Sequence, residues 1–197
     1  SLGSLNDNSN RSIMYGVLIE NNTGAKIESL DVAYTGKVWR VGTSSTAIDT
    51  LKFEYVVMTS PTLLRQLRDR QKYLGEVRAR AMKDLDFVTP SAMTATIDGT
   101  VASKIDGDNT ANQTRLSATL NVTINPGDVV LLRWIDVDEQ DEDQALAIDD
   151  LEVIPHVEGQ GMERIQKSAV SSQKYLRNGQ VIIIRNNIEY TILGNRL

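Results

Sequence analysis

Short stretches in which apolar and polar residues alternate recur along the 197-residue chain, and this period of two constrains its fold more than any other feature. Such alternation is typical of β-strands with one buried face. The stretches cover residues 13–19, 30–34, 51–57 and 116–124. Turn-forming residues follow two of them, at Asn21 to Gly24 and at Asn125 to Gly127. The pattern therefore predicts short strands joined by turns.

Two further stretches complete the predicted sheets. Val129 to Val137 is apolar at both odd and even positions, which is expected for a strand that is covered on both faces. Ala145 to Ile154 is a further predicted strand. Six or more short strands separated by turns predict an all-β fold. We expect an antiparallel β-sandwich of a jelly-roll-like kind rather than a βαβ fold.

One segment departs from the strand pattern. Pro61 to Asp84 has apolar residues at helical spacing, and a proline suits the first turn of a helix. We therefore predict a short helical insertion over residues 61–84, within a sandwich domain that spans residues 1–155.

The sequence changes character after Pro155. Residues 156–174 are rich in glycine, serine and glutamine, which predicts a linker. Residues 175–197 contain two apolar runs joined at Asn186-Asn187, which predicts a C-terminal β-hairpin. An isolated hairpin is only marginally stable in water. We therefore expect this tail to pair with the main sheet, with a partner strand or with export machinery.

Several motifs occur in a fixed order over residues 1–154. They are Leu2-Gly-Ser-Leu5, Tyr15-Gly-Val17, Asn21-Asn-Thr-Gly24, Ala33-Tyr-Thr-Gly36, Trp39-Arg40, Leu51-Lys-Phe-Glu-Tyr55, Leu85-Asp-Phe87 and Leu132-Arg-Trp-Ile-Asp-Val-Asp138. Together they resemble an extracellular β-sandwich module of secreted and surface proteins of Bacteroidetes and other Gram-negative bacteria. The resemblance implies a secreted or outer cell-surface location and a non-catalytic role.

Two shorter stretches carry looser resemblances. Ala147 to Leu151 is similar to the closing strand of MAM domains and of calcium-containing jelly-roll carbohydrate-binding modules. In those proteins an acidic pair lies near a structural cation. The C-terminal hairpin distantly resembles type IX sorting tails, which implies a role in export.

The negative charge of the chain is concentrated in one segment. The sequence has 21 Lys and Arg residues against 26 Asp and Glu residues, a formal charge of -5. Eight of the acids and no base fall between Asp136 and Asp150. Calcium takes about six to eight oxygen ligands, and this segment offers carboxylates at close spacing. We predict a Ca²⁺ site, with a solvated acidic loop as the alternative. The candidate ligands are Asp136, Asp138, Asp141, Asp143, Asp149 and Asp150.

Asp149 and Asp150 are adjacent within an apolar strand. Because neighbouring residues of a strand point to opposite faces, one of the two carboxylates is expected to face the interior, where it needs a partner. A metal ion is the favoured partner. A turn cap or an ion pair with Arg133 is the alternative.

Trp39 and Trp134 are the two tryptophans of the chain. Trp134 lies on the strand that is apolar on both faces and is expected in the core. Trp39, with Arg40 beside it, is the better candidate for an exposed ring that stacks on a glycan, with burial as the alternative. Trp39 and Arg40 are therefore the predicted ligand-binding residues.

The residue content excludes several kinds of site. The chain has no cysteine and one histidine, which rules out thiol chemistry, disulfides and Cys-based zinc sites. It also lacks a nucleophile elbow, a phosphate loop and a dinucleotide fingerprint, so these motifs add nothing against the non-enzymatic role that the resemblance implies. The basic segment at 61–84 is interspersed with acids and has one aromatic residue, so we predict no nucleic-acid partner. No apolar run approaches the ~20 residues of a membrane span.

These observations predict a non-catalytic secreted or cell-surface β-sandwich module, stabilised by calcium, that acts in glycan binding or adhesion. One alternative is a structural, assembly or export element that acts through its C-terminal hairpin. A second is an extracellular hydrolase with paired acids, which requires two carboxylates that face each other across a cleft.

Overall fold

The computed structural model describes most of the chain as two separate compact units. The described residues are 1–6, 12–42, 48–59, 61–69, 74–91, 103–137, 144–157, 173–177, 180–185 and 188–191. The first unit spans Ser1–Glu158 and the second spans Gly159–Leu197. Among the residues described, no helix is both long and apolar enough to cross a membrane.

The first unit is built mainly of strands. In chain order they are β1 (Leu2–Ser4), β2 (Ser12–Glu20), β3 (Ile27–Val41), β4 (Thr50–Met58), β5 (Arg80–Ala81), β6 (Phe87–Val88), β7 (Ser103–Lys104), β8 (Gln113–Ile124), β9 (Val129–Val137) and β10 (Ala145–Val157). Helix α1 spans Pro61–Arg68, and 3-10 turns occur at Leu74–Glu76, Lys83–Leu85 and Thr110–Asn112.

These strands form two antiparallel sheets. Sheet A has the order β1-β10-β3, and both β7 and β8 pair with the remaining side of β3. Sheet B has the order β2-β9-β4, and both β5 and β6 pair with the remaining side of β4. The predicted all-β antiparallel sandwich is confirmed.

The core lies between the two sheets and consists of residues that alternate along each strand. Sheet A contributes Ile27, Leu30, Val32, Tyr34, Val38, Leu120, Ile124 and Leu146, and sheet B contributes Leu51, Phe53, Phe87, Val130, Leu132 and Trp134. Trp134 is 1% exposed and meets the rings of Tyr34 and Phe53 edge-on, at centroid distances of 5.5 and 5.4 Å. Its predicted place in the core is confirmed.

The outer face of sheet B is covered by helix α1. Val129 and Leu131 of β9 point to this face and form a second apolar cluster, against which Leu64 and Leu67 of the helix pack. Strand β9 is therefore apolar on both faces, as its sequence predicted, because a helix covers the face that does not meet sheet A.

The predicted helical insertion is shorter than expected. The α-helix ends at Arg68, and within the predicted helix Arg80–Ala81 forms strand β5 instead. Two interactions hold this segment to sheet B. Strand β5 pairs with Glu54 and Tyr55, and Arg133 Nη1 donates to the Val77 carbonyl at 2.9 Å. Helical spacing alone does not reveal such long-range contacts.

Strand β10 is longer than predicted at its C-terminal end. It pairs with β3 through His156 and Val157, two residues that the sequence placed at the start of the linker. Most of the predicted linker, residues 158–172, lies outside the described residues.

The described residues of the second unit form three strands rather than a two-stranded hairpin. Strand β11 (Gln173–Arg177) pairs with β12 (Gln180–Arg185), which pairs with β13 (Ile188–Thr191), and both pairings are antiparallel. The β12–β13 pair is the predicted hairpin. The additional strand β11 begins at Gln173, two residues before the predicted start of the hairpin tail at residue 175. A three-stranded sheet leaves fewer unpaired backbone groups per strand than a lone hairpin.

Candidate functional site

A cavity of about 410 Å³ opens on sheet A where β1, β10 and β3 run side by side. Trp39 is the aromatic residue that lines it. The other lining residues are Ser1, Gly3, Ser4, Leu5, Ala145, Leu146 and Ala147. Most of these side chains are small, so the space beside the indole ring stays open.

The width of the cavity depends on how closely β1 approaches β10. Gly3 pairs with Ala147, and a Cβ atom on Gly3 would lie 2.4 Å from the Leu146 carbonyl oxygen and 2.6 Å from the Ala147 Cβ. A larger residue at position 3 cannot occupy this place unless the two strands separate. Glycine here permits a close backbone approach.

A turn packs against the Trp39 ring. A Cβ atom on Gly107 would lie 2.5 Å from the indole Cε2, so the glycine backbone lies directly on the ring. Asp106 organises this turn, because its side chain accepts from the Asp108 amide at 3.0 Å and its carbonyl accepts from Asn112 Nδ2 at 2.8 Å. The ring is half-buried in consequence.

Arg40 does not line the cavity with its neighbour. It is half-buried, and it stands opposite Ala145 of β10 on one side and Lys104 of β7 on the other. Of the two predicted ligand-binding residues, the structure places only Trp39 at the cavity.

An ion-pair cluster lies two residues from Trp39 on the same strand. The Lys37 side chain is 8% exposed, and its Nζ lies 2.7 Å from an Asp108 oxygen and 2.8 Å from an Asp149 oxygen. Hydrogen bonds to Asp108 and then to Asp149 raise the pKa of Lys37. This cluster was not predicted, because Lys37 is separated from Asp108 by 71 residues and from Asp149 by 112.

Asp149 is bound within this cluster. Its carboxylate accepts from Lys37 and from the Ser1 hydroxyl, which lies 3.1 Å away. The Lys37 ammonium, followed by the Asp150 amide and the Ser1 hydroxyl, lowers the pKa of Asp149 to about 2. The carboxylate is therefore ionised at neutral pH and is held by protein groups.

The expectation that Asp149 or Asp150 faces the interior is wrong. Asp149 is half-buried and Asp150 is exposed. Asp150 and Leu151 together stand opposite the single residue Tyr34, so β10 has a β-bulge at this point. Asp150 has a φ of 49°. A bulge inserts one residue and interrupts the alternation of faces on which the expectation rested.

Asp136 behaves differently, because it is fully buried at the end of β9. Burial of the Tyr15 hydroxyl, followed by the nearby charge of Asp136, raises the pKa of Tyr15. Asp136 pairs in register with Leu51 of β4.

A second buried carboxylate, Asp49, lies two residues before that register partner and is 2% exposed. It accepts from the Thr50 amide at 2.7 Å and from the Gln144 amide at 3.1 Å. The sequence did not predict the burial of Asp49, because an aspartate just before a strand is typical of an exposed turn.

The remaining predicted calcium ligands, Asp138, Asp141 and Asp143, lie outside the described residues. Within the described part of the chain, no group of three or more acidic or histidine side chains is close enough to hold a metal. The calcium site therefore stays a prediction.

The single histidine takes part in a separate polar contact on sheet A. His156 Nε2 lies 2.6 Å from Asp31 Oδ2, and the Thr119 hydroxyl donates to Asp31 Oδ1 at 2.6 Å. The hydrogen bond from Thr119, followed by that from His156, lowers the pKa of Asp31. All three side chains reach solvent.

No protein-family model, curated protein or solved structure matches the chain. The secretion, glycan binding and cation binding that its motifs imply therefore need support from the geometry of the site itself.

Proposed function

We propose that this protein is a non-catalytic binding module of a secreted or cell-surface protein, and that it binds a glycan at the Trp39 cavity. The observation that carries the proposal is a half-buried tryptophan that lines a cavity of about 410 Å³ among small side chains. The secreted or surface location rests on the resemblance of the ordered motifs over residues 1–154.

The size and lining of the cavity suit a sugar ring. Cavities that bind small ligands measure roughly 300–1,000 Å³ and combine apolar walls with a few polar groups. Gly3, Ala145 and Ala147 leave room beside the indole, which can stack on the C–H face of a sugar. The Ser1 hydroxyl links the cavity to the Lys37–Asp149 pair and supplies a polar rim.

The electrostatics of this rim support binding rather than proton transfer. Asp149 has a pKa of about 2 and lies against Lys37, so it carries no proton to donate at neutral pH. A general acid needs a pKa near the working pH. The paired-acid hydrolase receives no support from this carboxylate.

Binding to an array of neutral and acidic oligosaccharides tests the proposal. We expect the wild-type protein to bind, and Trp39→Ala to bind at least about tenfold more weakly, since stacking on an aromatic ring contributes about 1–3 kcal/mol. Ile154→Ala is the matched control, because Ile154 is 46% exposed and does not line the cavity. Equal binding by wild type and Trp39→Ala would contradict the proposal.

Calcium stabilisation is part of the same proposal and rests on different residues. Asp136 and Asp49 are buried carboxylates at one end of sheet B, and Asp138 follows Asp136 by two residues. Carboxylate oxygens are the donors that Ca²⁺ prefers, and a bound ion would link β4 to the acidic segment. Asp149 is a weaker candidate, because Lys37 already neutralises it.

Thermal unfolding in calcium and in EDTA tests this part. Saturating Ca²⁺ at about 100 times its Kd should stabilise the wild-type protein by about 2.7 kcal/mol. Asp138→Asn should abolish the shift, while Asp149→Asn should keep it. An identical melting temperature in calcium and EDTA would remove calcium from the proposal.

A second function receives support from the C-terminal unit. Strands β11, β12 and β13 form a compact unit of their own, as expected of an assembly or export element that acts through this tail. Deletion of residues 173–197 distinguishes the two functions. Loss of surface display with retained glycan binding would assign the tail to export.

A further inference from the structure

A second cavity lies between the two sheets, on the side where β8 and β5 are the outermost strands. Its volume is about 530 Å³. The residues that line it are Glu28 of β3, Tyr55, Val56 and Val57 of β4, Arg80 of β5, and Asn121, Val122 and Thr123 of β8. We call this cavity the inter-sheet groove. None of its residues lines the Trp39 cavity.

A β-bulge shapes one wall of the groove. Val122 and Thr123 together stand opposite Glu28, so β8 carries one extra residue at this point. Bulges bend a strand and redirect its side chains, and they are common beside binding sites. Val122 is 9% exposed and, with Val57, brings the edge of the core to the groove.

Arg80 and Tyr55 form the opposite wall. They are register partners on β5 and β4, and side chains that stand opposite each other in an antiparallel pair lie on the same face. Tyr55 packs against the core between the sheets, which places Arg80 on the inner face as well. The groove therefore combines a guanidinium group and a phenol ring with an aliphatic floor.

The lining of the groove carries one base, Arg80, and one acid, Glu28, among the described residues. Arg80 is exposed and has no ion-pair partner among the described residues. The Glu28 carboxylate lies 3.3 Å from Lys26 Nζ, which offsets its charge. An anionic group that enters the groove meets Arg80 as its partner, and guanidinium groups bind carboxylates in a bidentate manner.

We propose that the inter-sheet groove binds a short extended peptide of a partner protein, in which an acidic residue is flanked by aliphatic residues. The carboxylate binds the Arg80 guanidinium, and an aliphatic neighbour packs on Val57 and Val122. The side-chain amide of Asn121 donates to and accepts from the peptide backbone. The surface is thus a docking site for a protein, separate from the glycan site.

The lining favours a peptide over an acidic sugar. Branched aliphatic side chains suit the packing of a Val or Ile side chain. A sugar ring stacks on the open face of an aromatic ring, whereas the Tyr55 ring packs against the core. A peptide also presents both a backbone donor and a backbone acceptor to the edge of a sandwich.

Methyl NMR on the complete chain tests the proposal with defined probes. The probe is acetyl-Val-Asp-Val-amide, and the control peptide carries Asn in place of Asp. We expect the Asp peptide to shift the Val57 and Val122 methyl signals in a saturable manner at concentrations up to about 10 mM. The Asn peptide should bind about tenfold more weakly, because it lacks the charge that Arg80 recognises.

Two arginine variants give a matched comparison. Arg80→Gln should weaken binding of the Asp peptide about tenfold, and Arg78→Gln, an exposed arginine outside the groove, should leave it unchanged. Trp39→Ala should also leave it unchanged, so that failure of this proposal is distinguishable from failure of the glycan site. Both arginine variants should melt at the wild-type temperature.

Three outcomes would overturn the proposal. The first is no shift of either methyl signal with the Asp peptide. The second is equal binding of the Asp and Asn peptides, or of wild type and Arg80→Gln. The third is a shift caused by a galacturonic acid dimer but by neither peptide, which would assign the groove to an acidic sugar.

Discussion

Gly36 is the position at which a single methyl group should damage this fold most. It lies in the middle of β3, opposite Ile148 of β10 and Thr114 of β8. A Cβ atom on Gly36 would lie 2.2 Å from both Cγ and Cδ2 of Phe87. Gly36→Ala therefore forces either the Phe87 ring or the central strand of sheet A to move.

The cost of Gly36→Ala follows from this overlap. Carbon atoms in contact are normally about 3.5–4.0 Å apart, so the ring has to retreat by more than about 1 Å. Phe87 is fully buried and packs in the core between the sheets, so it cannot rotate into solvent. Overpacking of a core typically costs about 1–3 kcal/mol, and a rigid ring should place this variant at the upper end. At about 2–4 °C per kcal/mol, the melting temperature should fall by about 6–12 °C.

Urea unfolding followed by tryptophan fluorescence measures this cost. Gly75→Ala is the control, because its nearest atom, Met14 Cε, would lie 3.6 Å from the new methyl. The combination Gly36→Ala with Phe87→Leu should lose less stability than the two separate losses added together, by about 1–2 kcal/mol of coupling. A Gly36→Ala protein within about 0.5 kcal/mol of wild type, or strictly additive losses, would refute the reasoning.

Three further predictions concern the residues around the candidate site. Gly107→Ala should displace the Trp39 ring into its cavity, because the new methyl group would overlap the ring. The variant should bind glycan more weakly in a tryptophan-fluorescence titration. It should also lose less stability than Gly36→Ala in urea unfolding followed by fluorescence. Asp149 has a lowered pKa, so its contribution to stability is complete above about pH 4 and is lost as the pH falls towards 2. The difference in unfolding free energy between wild type and Asp149→Asn should therefore shrink over that pH range. Thr119→Val should raise the pKa of Asp31 in a carboxyl NMR titration, because the Thr119 hydroxyl is the largest cause of its lowering.

The strands were predictable because their signal is local. Apolar and polar residues alternate over residues 13–19, 51–57 and 116–124, because one face of each strand packs on the core. This alternation can be recognised from consecutive residues alone. The same reasoning placed Trp134, whose strand is apolar on both sides. Local patterns failed after helix α1. Apolar residues keep a helical spacing beyond Arg68, but Arg80 pairs with β4 as part of a strand.

The site was less predictable because it depends on residues that are distant in sequence. Trp39 was a candidate from its type, but Gly107, which covers its ring, lies 68 positions along the chain. The bulges at Asp150 and at Val122 are set by the pairing of β10 and β8 with β3, and the sequence of either strand alone does not reveal them. The orientation of Asp149 and Asp150 was predicted wrongly for that reason.

The two proposed sites lie near opposite ends of one strand, and this arrangement has a functional consequence. Trp39 and Glu28 are both on β3, eleven residues apart, and an extended strand rises about 3.3 Å per residue. The Trp39 cavity and the inter-sheet groove are therefore separated by about 35 Å along a strand that is hydrogen-bonded on both sides. Ligands at that separation do not touch, so a glycan and a peptide can bind together. If both proposed sites bind their ligands, one module would hold a partner protein and a glycan at the same time.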